Sequence, residues 1–182
     1  MSHDKRPRFA KVTPAHVTVR VRQHVWNLRS GRCYRVIGSC LEKALARHGL
    51  RVIEYSVLGN HIHFIVEADD NAALSRGMQG LCIRIAKALN LLMKKNGRLF
   101  ADHYHANLLT TPTQLVRAIA YVLRNHEHHF GKKGADAFAS DALPSTRRRA
   151  RLCIPLSWLL LSGWRRASPA DLKRLRGTTF AA

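Results

Sequence analysis

The stretch from Tyr55 to Val66 is apolar for most of its length and is broken at Gly59-Asn60, so it has few options other than folding back on itself. Gly-Asn between two apolar runs is a tight-turn signal, and the spacing predicts an antiparallel hairpin from Arg51–Leu58 and His61–Glu67. Side chains alternate along a strand, so residues two apart share a face. His61 and His63 therefore project together, with Ile62 on the opposite side.

The remaining elements follow from periodicity. His16 to Arg22 alternates with Val17, Val19 and Val21 on one face, a half-buried strand. After Ser30-Gly31, Val36, Cys40, Leu41, Ala44, Leu45 and His48 recur at helical spacing, with Gly49 as the expected C-cap. Asn71 is the expected cap of a long helix to about Lys95, with Leu74, Met78, Leu81, Ile85, Leu89 and Leu92 as its buried stripe and Gly97 as its stop. Asp102 to Thr110 reads as a strand. Pro112 opens a helix through His129 with Leu115, Ala118, Ile119 and Val122 buried. Strand, helix, strand, strand, helix, strand is the split order of the ferredoxin-like fold, an α+β class built on an antiparallel sheet. Both core helices are expected on one face, leaving the other for a ligand.

Composition sets the partners. The chain of 182 residues carries 31 Lys and Arg against 11 Asp and Glu, a formal charge of +20, which points to a polyanion such as nucleic acid. Residues 1–14 read as a basic arm, 15–130 as one folded domain, and 131–182 as a basic tail with a short amphipathic piece at Pro155–Arg166. The longest apolar run near the C-terminus, Trp158 to Leu161, is far short of the roughly 20 residues a spanning helix needs. No membrane association is expected, and the charged start of the chain suggests a cytoplasmic, nucleoid-associated protein. Cys33, Cys40, Cys82 and Cys153 form no Cys-x-x-Cys pair and read as reduced thiols, mostly in helices.

Two imidazoles on one strand face can hold a divalent cation. Yet with 11 His, roughly 0.7 His-x-His pairs arise by chance, and His103-Tyr104-His105 and His126-Glu127-His128 also occur, so spacing alone leaves structural histidines open. Tyr121 and Asn125, four apart on a predicted helix, share a face; a tyrosine on such a face is also a common core residue. Arg84, Lys87, Lys94 and Lys95 on the second helix, and Arg147, Arg148, Arg149 and Arg151 in the tail, are candidate phosphate contacts or an ordinary solvated face. Arg165 and Arg166 beside Trp158 and Trp164 offer charge next to stacking surfaces.

Asn60-His61-Ile62-His63-Phe64-Ile65-Val66 resembles the Asn-His-hydrophobic-His motif of single-tyrosine transposases of the HUH endonuclease superfamily, especially the insertion-sequence-200-type and REP-associated members. Tyr121-Val122-Leu123-Arg124-Asn125 is similar to the family's nucleophile helix, and Gly97 to His105 resembles the stretch entering its last core strand. The likeness spans about residues 15–130. It implies a metal-dependent enzyme that cuts and rejoins single-stranded DNA, often at a hairpin, through a covalent phosphotyrosine at Tyr121. His61, His63 and Asn125 match the metal ligands, for Mg²⁺ or Mn²⁺. Many members follow the Asn with Pro, whereas His126 stands here, which would lengthen the helix and leaves Glu127 and His128 as competing ligands. Tyr104 is expected to be structural. Relatives include both homodimers and monomers. The competing reading is a non-catalytic nucleic-acid-binding module on the same fold, including a domesticated transposase that binds a hairpin without cutting.

Overall fold

The computed structural model describes residues 9–44, 46–131 and 134–181, apart from the side chains of 128–130 and 181. Residues 1–8 of the expected arm, Leu45 and the His128 side chain lie outside that description.

Four strands, β1 (Thr13–Arg20), β2 (Leu50–Val57), β3 (His61–Ala68) and β4 (His105–Leu108), form one antiparallel sheet in the order β2-β3-β1-β4. This is the α+β, ferredoxin-like arrangement that the element order predicts. The strand that reads as His16–Arg22 begins earlier, since Thr13 and Pro14 already pair with Ala68 and Glu67. The last residues of the expected arm are thus sheet.

Helices α1 (Gly31–Glu42) and α2 (Asn71–Met93) pack together on one face. Val17 and Val19 of β1, with Val21 just beyond its end, meet Ile37, Met78, Ile85 and Leu89 there in the larger core cluster. Ser30 caps α1 by accepting from the Cys33 amide. The helix ends at Glu42 rather than at Gly49, which instead sits in a short 3₁₀ turn at φ +72°. Asp70, not Asn71, caps α2, accepting from the Ala73 amide at 2.7 Å. Its other end closes at Lys94, whose left-handed backbone (φ 52°) stops the helix three residues before Gly97. At its middle, a Cβ on Gly77 would lie 2.3 Å from Leu50 Cβ, so the bare glycine lets α2 settle onto the start of β2.

The opposite face is not left free as expected. Helix α3 (Pro112–Leu123), opened by a Thr111–Gln114 capping box, lies across part of it. Leu115, Val116, Ile119 and Val122 bury against Ile53 and Ile65 of the sheet and against Leu159, Leu160 and Leu175 of the tail. Of the expected stripe, Ala118 is only partly buried. The C-terminal segment follows as α4 (Asn125–Phe130), α5 (Ser145–Arg151), α6 (Trp158–Leu161) and α7 (Pro169–Leu172), joined by short 3₁₀ turns. The amphipathic piece expected over Pro155–Arg166 is therefore only one turn of α-helix followed by a 3₁₀ turn.

Two of the attachments that fix this tail involve its backbone. Buried Glu67 accepts from the backbone amides of Leu156 and Ser157, both at 2.7 Å, and from Arg51 Nε at 3.1 Å. Residues 138–140 run beside β2: the Val57 amide donates to the Phe138 carbonyl (3.0 Å) and the Tyr55 amide to Ser140 Oγ (2.9 Å). Among the described residues, no helix is long and apolar enough to cross a membrane.

Candidate functional site

Antiparallel register places the polar side chains. Thr18 of β1 stands between His63 of β3 and His105 of β4, and Arg20 stands opposite His61. Ser56 of β2 faces His63 from the other side. These residues share the sheet face that α3 covers only in part. Beyond the end of that cover lies an open cleft of about 900 Å³, lined by Thr18, Arg20, Asn60, His61, His63, His103 and His105.

Within it the His61 and His63 rings are 4.8 Å apart, centroid to centroid, and nearly perpendicular at 88°. The Tyr121 ring, 41 % exposed on α3, stands edge-on to His63 at 5.3 Å. Tyr121 and His63, far apart in the chain, are thus brought ring to ring because α3 crosses the sheet over β2 and β3.

The chemistry of these donors suits a cation. His61 Nδ1 lies 2.7 Å from Asn60 Oδ1, and His63 Nδ1 lies 3.0 Å from Thr18 Oγ1 and 3.1 Å from His16 Nε2. With each Nδ1 engaged, a cation would have to take Nε2, the arrangement common to metal-binding histidines, and the Nε2 of His63 is buried. Among the described residues no three His, Cys, Asp or Glu side chains converge as a complete metal site, so further donors must be neutral oxygens or the substrate. Asn125 has the chemistry for it. Its side chain is fully buried, and neither amide atom has a hydrogen-bond partner, which is uncommon for a native group.

Asn125 is not, however, on one continuous helix with Tyr121. The helix predicted through His129 breaks at Arg124 (φ −107°, ψ 14°), and Asn125 begins α4. Arg124 donates to the carbonyl of Arg176 in the tail, while His126 is buried with its Nδ1 4.0 Å from Asp136 Oδ2. Tertiary partners on either side of the break override local helix propensity. His126 therefore does not lengthen the helix, and Asn125 turns inward while Tyr121 stays half-exposed. Glu127 is partly buried.

The basic residues divide. Arg148 pairs with buried Glu54 and bonds the Ser140 carbonyl. Arg151 is buried against Gly38, where a Cβ would come within 2.3 Å of the guanidinium, and it reaches Glu42 (2.9 Å) and the Tyr55 hydroxyl (3.2 Å). Both hold the tail to the domain. Arg147 and Arg149 are exposed. On α2, which lies across the sheet from the histidines, Arg84 is half-buried while Lys87, Lys94 and Lys95 are exposed. Lys95 Nζ reaches the His24 carbonyl, in the loop whose Val25 and Asn27 line the cleft. Arg165 and Arg166 stack over Trp164 and Trp158. Tyr104 packs against the larger core cluster and lines a separate pocket on the α2 side with Phe100.

Two residues went unread in the sequence, His16 and Thr18. Burial holds the His16 imidazole down to a pKa of about 4, so it is neutral, and its ring lies 5.1 Å from His63 and 5.8 Å from Tyr121. The alternation that puts Val17 and Val19 in the core also puts both residues on the far face. Their meeting with His63 depends on sheet register, which local sequence does not encode.

The family model described as "Transposase IS200 like" matches residues 13–125. Among solved structures, a REP-associated tyrosine transposase bound to a REP hairpin superposes with a TM-score of 0.63 at 16 % identity, over 86 % of this chain and 92 % of that one. A candidate transposase from Deinococcus radiodurans R1 aligns over 65 % of this chain and 95 % of that one, at 13 % identity and a TM-score of 0.46. Among curated proteins, no relative matches.

Proposed function

Because the chain belongs to the IS200-like transposase family, with the family model covering residues 13–125, we propose that it cuts and rejoins single-stranded DNA at a folded hairpin through a covalent link to Tyr121. The observation that carries this reading is the 5.3 Å approach of the Tyr121 ring to His63, a residue that lines an open cleft. Hairpin DNA as the partner is supported by the hairpin-bound relative of the same fold and by the +20 charge.

The residues divide the work. A phenol is a weak nucleophile near neutral pH because its ordinary pKa is about 10. His61 and His63, with the Asn125 amide oxygen, would hold a divalent cation, Mg²⁺ or Mn²⁺, which would supply Lewis-acid chemistry at the scissile phosphate. Tyr121 Oη forms the new bond to phosphorus and loses its proton; the P–O3′ bond breaks, and the leaving 3′-oxygen takes up a proton to become a free hydroxyl. The phosphotyrosine conserves the bond energy, so rejoining to a second strand needs no nucleotide cofactor. Arg20, opposite His61 on the cleft wall, is placed to steady the DNA backbone.

The test is incubation with a hairpin-bearing single strand and Mn²⁺, resolved on a denaturing gel. Wild type is expected to yield a covalent adduct. Tyr121→Phe keeps the half-exposed ring and is expected to bind DNA as wild type does but give no adduct. Tyr104→Phe is expected to retain it. An adduct that survives Tyr121→Phe refutes the assignment of the nucleophile. Wild type that binds the hairpin without any adduct favours the non-cutting reading.

A further inference from the structure

Beyond the two histidines of the motif, a third imidazole is built into the site. We propose that His16 is a positioning residue: its Nε2 accepts the Nδ1–H of His63, selecting the His63 tautomer whose Nε2 can take a cation, and its ring holds the edge of Tyr121. The inference rests on the metal reading above.

The argument begins with what His63 must do. A neutral imidazole carries one proton, and the nitrogen that ligates a cation must be the bare one. For Nε2 to ligate, Nδ1 must keep the proton and find an acceptor for it. Among the described residues, Thr18 Oγ1 at 3.0 Å and His16 Nε2 at 3.1 Å lie within reach. A threonine hydroxyl rotates and serves equally as donor or acceptor, so Thr18 alone is compatible with either tautomer of His63. The His16 nitrogen 3.1 Å away accepts in the Nδ1–H tautomer of that ring and donates in the other, and the accepting form is the one that fits a ligating His63 Nε2. With His16 in that tautomer, Thr18 is a second neighbour, and the proton on His63 Nδ1 has a defined destination.

The placement of His16 is fixed by the fold. It lies one alternation along β1 from Thr18, opposite Ile65 of β3 and Asn107 of β4. It reaches His63 diagonally across the strand pair. Its ring touches both halves of the site, at 5.1 Å from His63 and 5.8 Å, edge-on at 70°, from Tyr121. A shift of His16 therefore disturbs the cation-binding ring and the attacking ring together. That joint contact distinguishes it from Asn60, whose side chain engages His61 through Nδ1.

The test pairs two substitutions. His16→Phe keeps an aromatic ring beside Tyr121 and removes the acceptor; His16→Gln returns an acceptor oxygen near the position of Nε2. Nitrogen-15 chemical shifts of the His63 ring, recorded without metal, are expected to show the Nδ1–H tautomer in wild type and His16→Gln, and loss of that preference in His16→Phe. Mn²⁺ titration is expected to weaken about 10- to 100-fold in His16→Phe, the usual effect of removing a partner behind a metal ligand, and to recover in His16→Gln. Hairpin affinity and thermal midpoint are expected to stay near wild type in both. A wild-type His63 in the Nε2–H tautomer, or a His16→Phe protein with unchanged tautomer and Mn²⁺ affinity, overturns the proposal. Wild type that binds no Mn²⁺ at His61 and His63 refutes the metal reading instead, and the metal-free tautomer still decides the role of His16.

Discussion

Replacing Glu67 with Gln tests whether one buried carboxylate fastens the C-terminal third of the chain to the sheet. Glu67 has no exposed surface; its two oxygens accept from the amides of Leu156 and Ser157, and Oε2 also from Arg51 Nε. Gln retains one carbonyl oxygen and turns an NH₂ towards a donor. With its oxygen at the Oε2 position it keeps Leu156 and Arg51 and sets the NH₂ against the Ser157 amide, so one charge-assisted bond of about 1.5–3 kcal/mol is lost and stranding that buried donor costs about 1–3 kcal/mol more. Arg51 keeps Asp69 at 2.5 Å, which limits the penalty for stranding its charge. The sum is a loss of about 3–5 kcal/mol, a large share of the roughly 5–15 kcal/mol that holds a domain folded. For a chain of this size it lowers the thermal midpoint by roughly 6–20 °C. The change is local in origin, so hydrogen exchange at the Leu156 and Ser157 amides is expected to accelerate before that of β3. Urea unfolding read by Trp158 and Trp164, both in the tail, is expected to lose cooperativity with far-UV circular dichroism. Because α3 is packed beneath that tail, DNA cleavage is expected to slow with little change in affinity. A cost below about 1 kcal/mol, with both amides still protected, refutes the reasoning.

Two glycines in α2 make a matched pair. Gly80→Ala meets nothing within 4 Å and is expected to stabilise by about 1 kcal/mol through helix propensity. Gly77→Ala places its Cβ 2.3 Å from Leu50 Cβ, well inside the usual 3.5–4.0 Å between apolar carbons, and is expected to destabilise by up to about 2 kcal/mol net; urea midpoints compare them. Hairpin binding is expected to fall about 10³- to 10⁵-fold between 50 and 200 mM salt if six to ten phosphates are neutralised; a flat response in a filter-binding titration excludes backbone contacts as its main source.

The parts of this fold legible in the sequence are those set by short periods. The Val17-Val19-Val21 alternation, the Gly59-Asn60 turn and the Leu74-to-Leu89 stripe each specify an element through residues close in the chain. Termini were less legible: Lys94 ends α2 in a conformation uncommon for lysine, and Ala46 and His48 at positive φ lead the chain from α1 to β2. The break at Arg124, the pairing of Arg148 and the burial of Arg151 depend on Asp136, Arg176, Glu54 and Glu42, partners remote in sequence. A run of arginines on its own carries no sign of whether its carboxylates lie inside the molecule or on a ligand. The pairing of His61 with His63 was readable because it is local. Their meeting with Tyr121, His16 and Thr18 belongs to register and to the path of α3.

The strip of backbone formed by residues 138–140 has a consequence for self-association. An outermost strand ordinarily displays a row of donors and acceptors that invites a second chain to continue the sheet. On β2 the outward amides of Tyr55 and Val57 are already taken by Ser140 and Phe138, so that border is closed by the molecule itself. The opposite border is β4, only four residues long. A second copy extending this sheet has β4 alone to add to, a narrow template that favours association through side-chain surfaces. Trimming the chain before Phe138 would uncover β2 and turn a self-limited sheet into one open for unchecked growth.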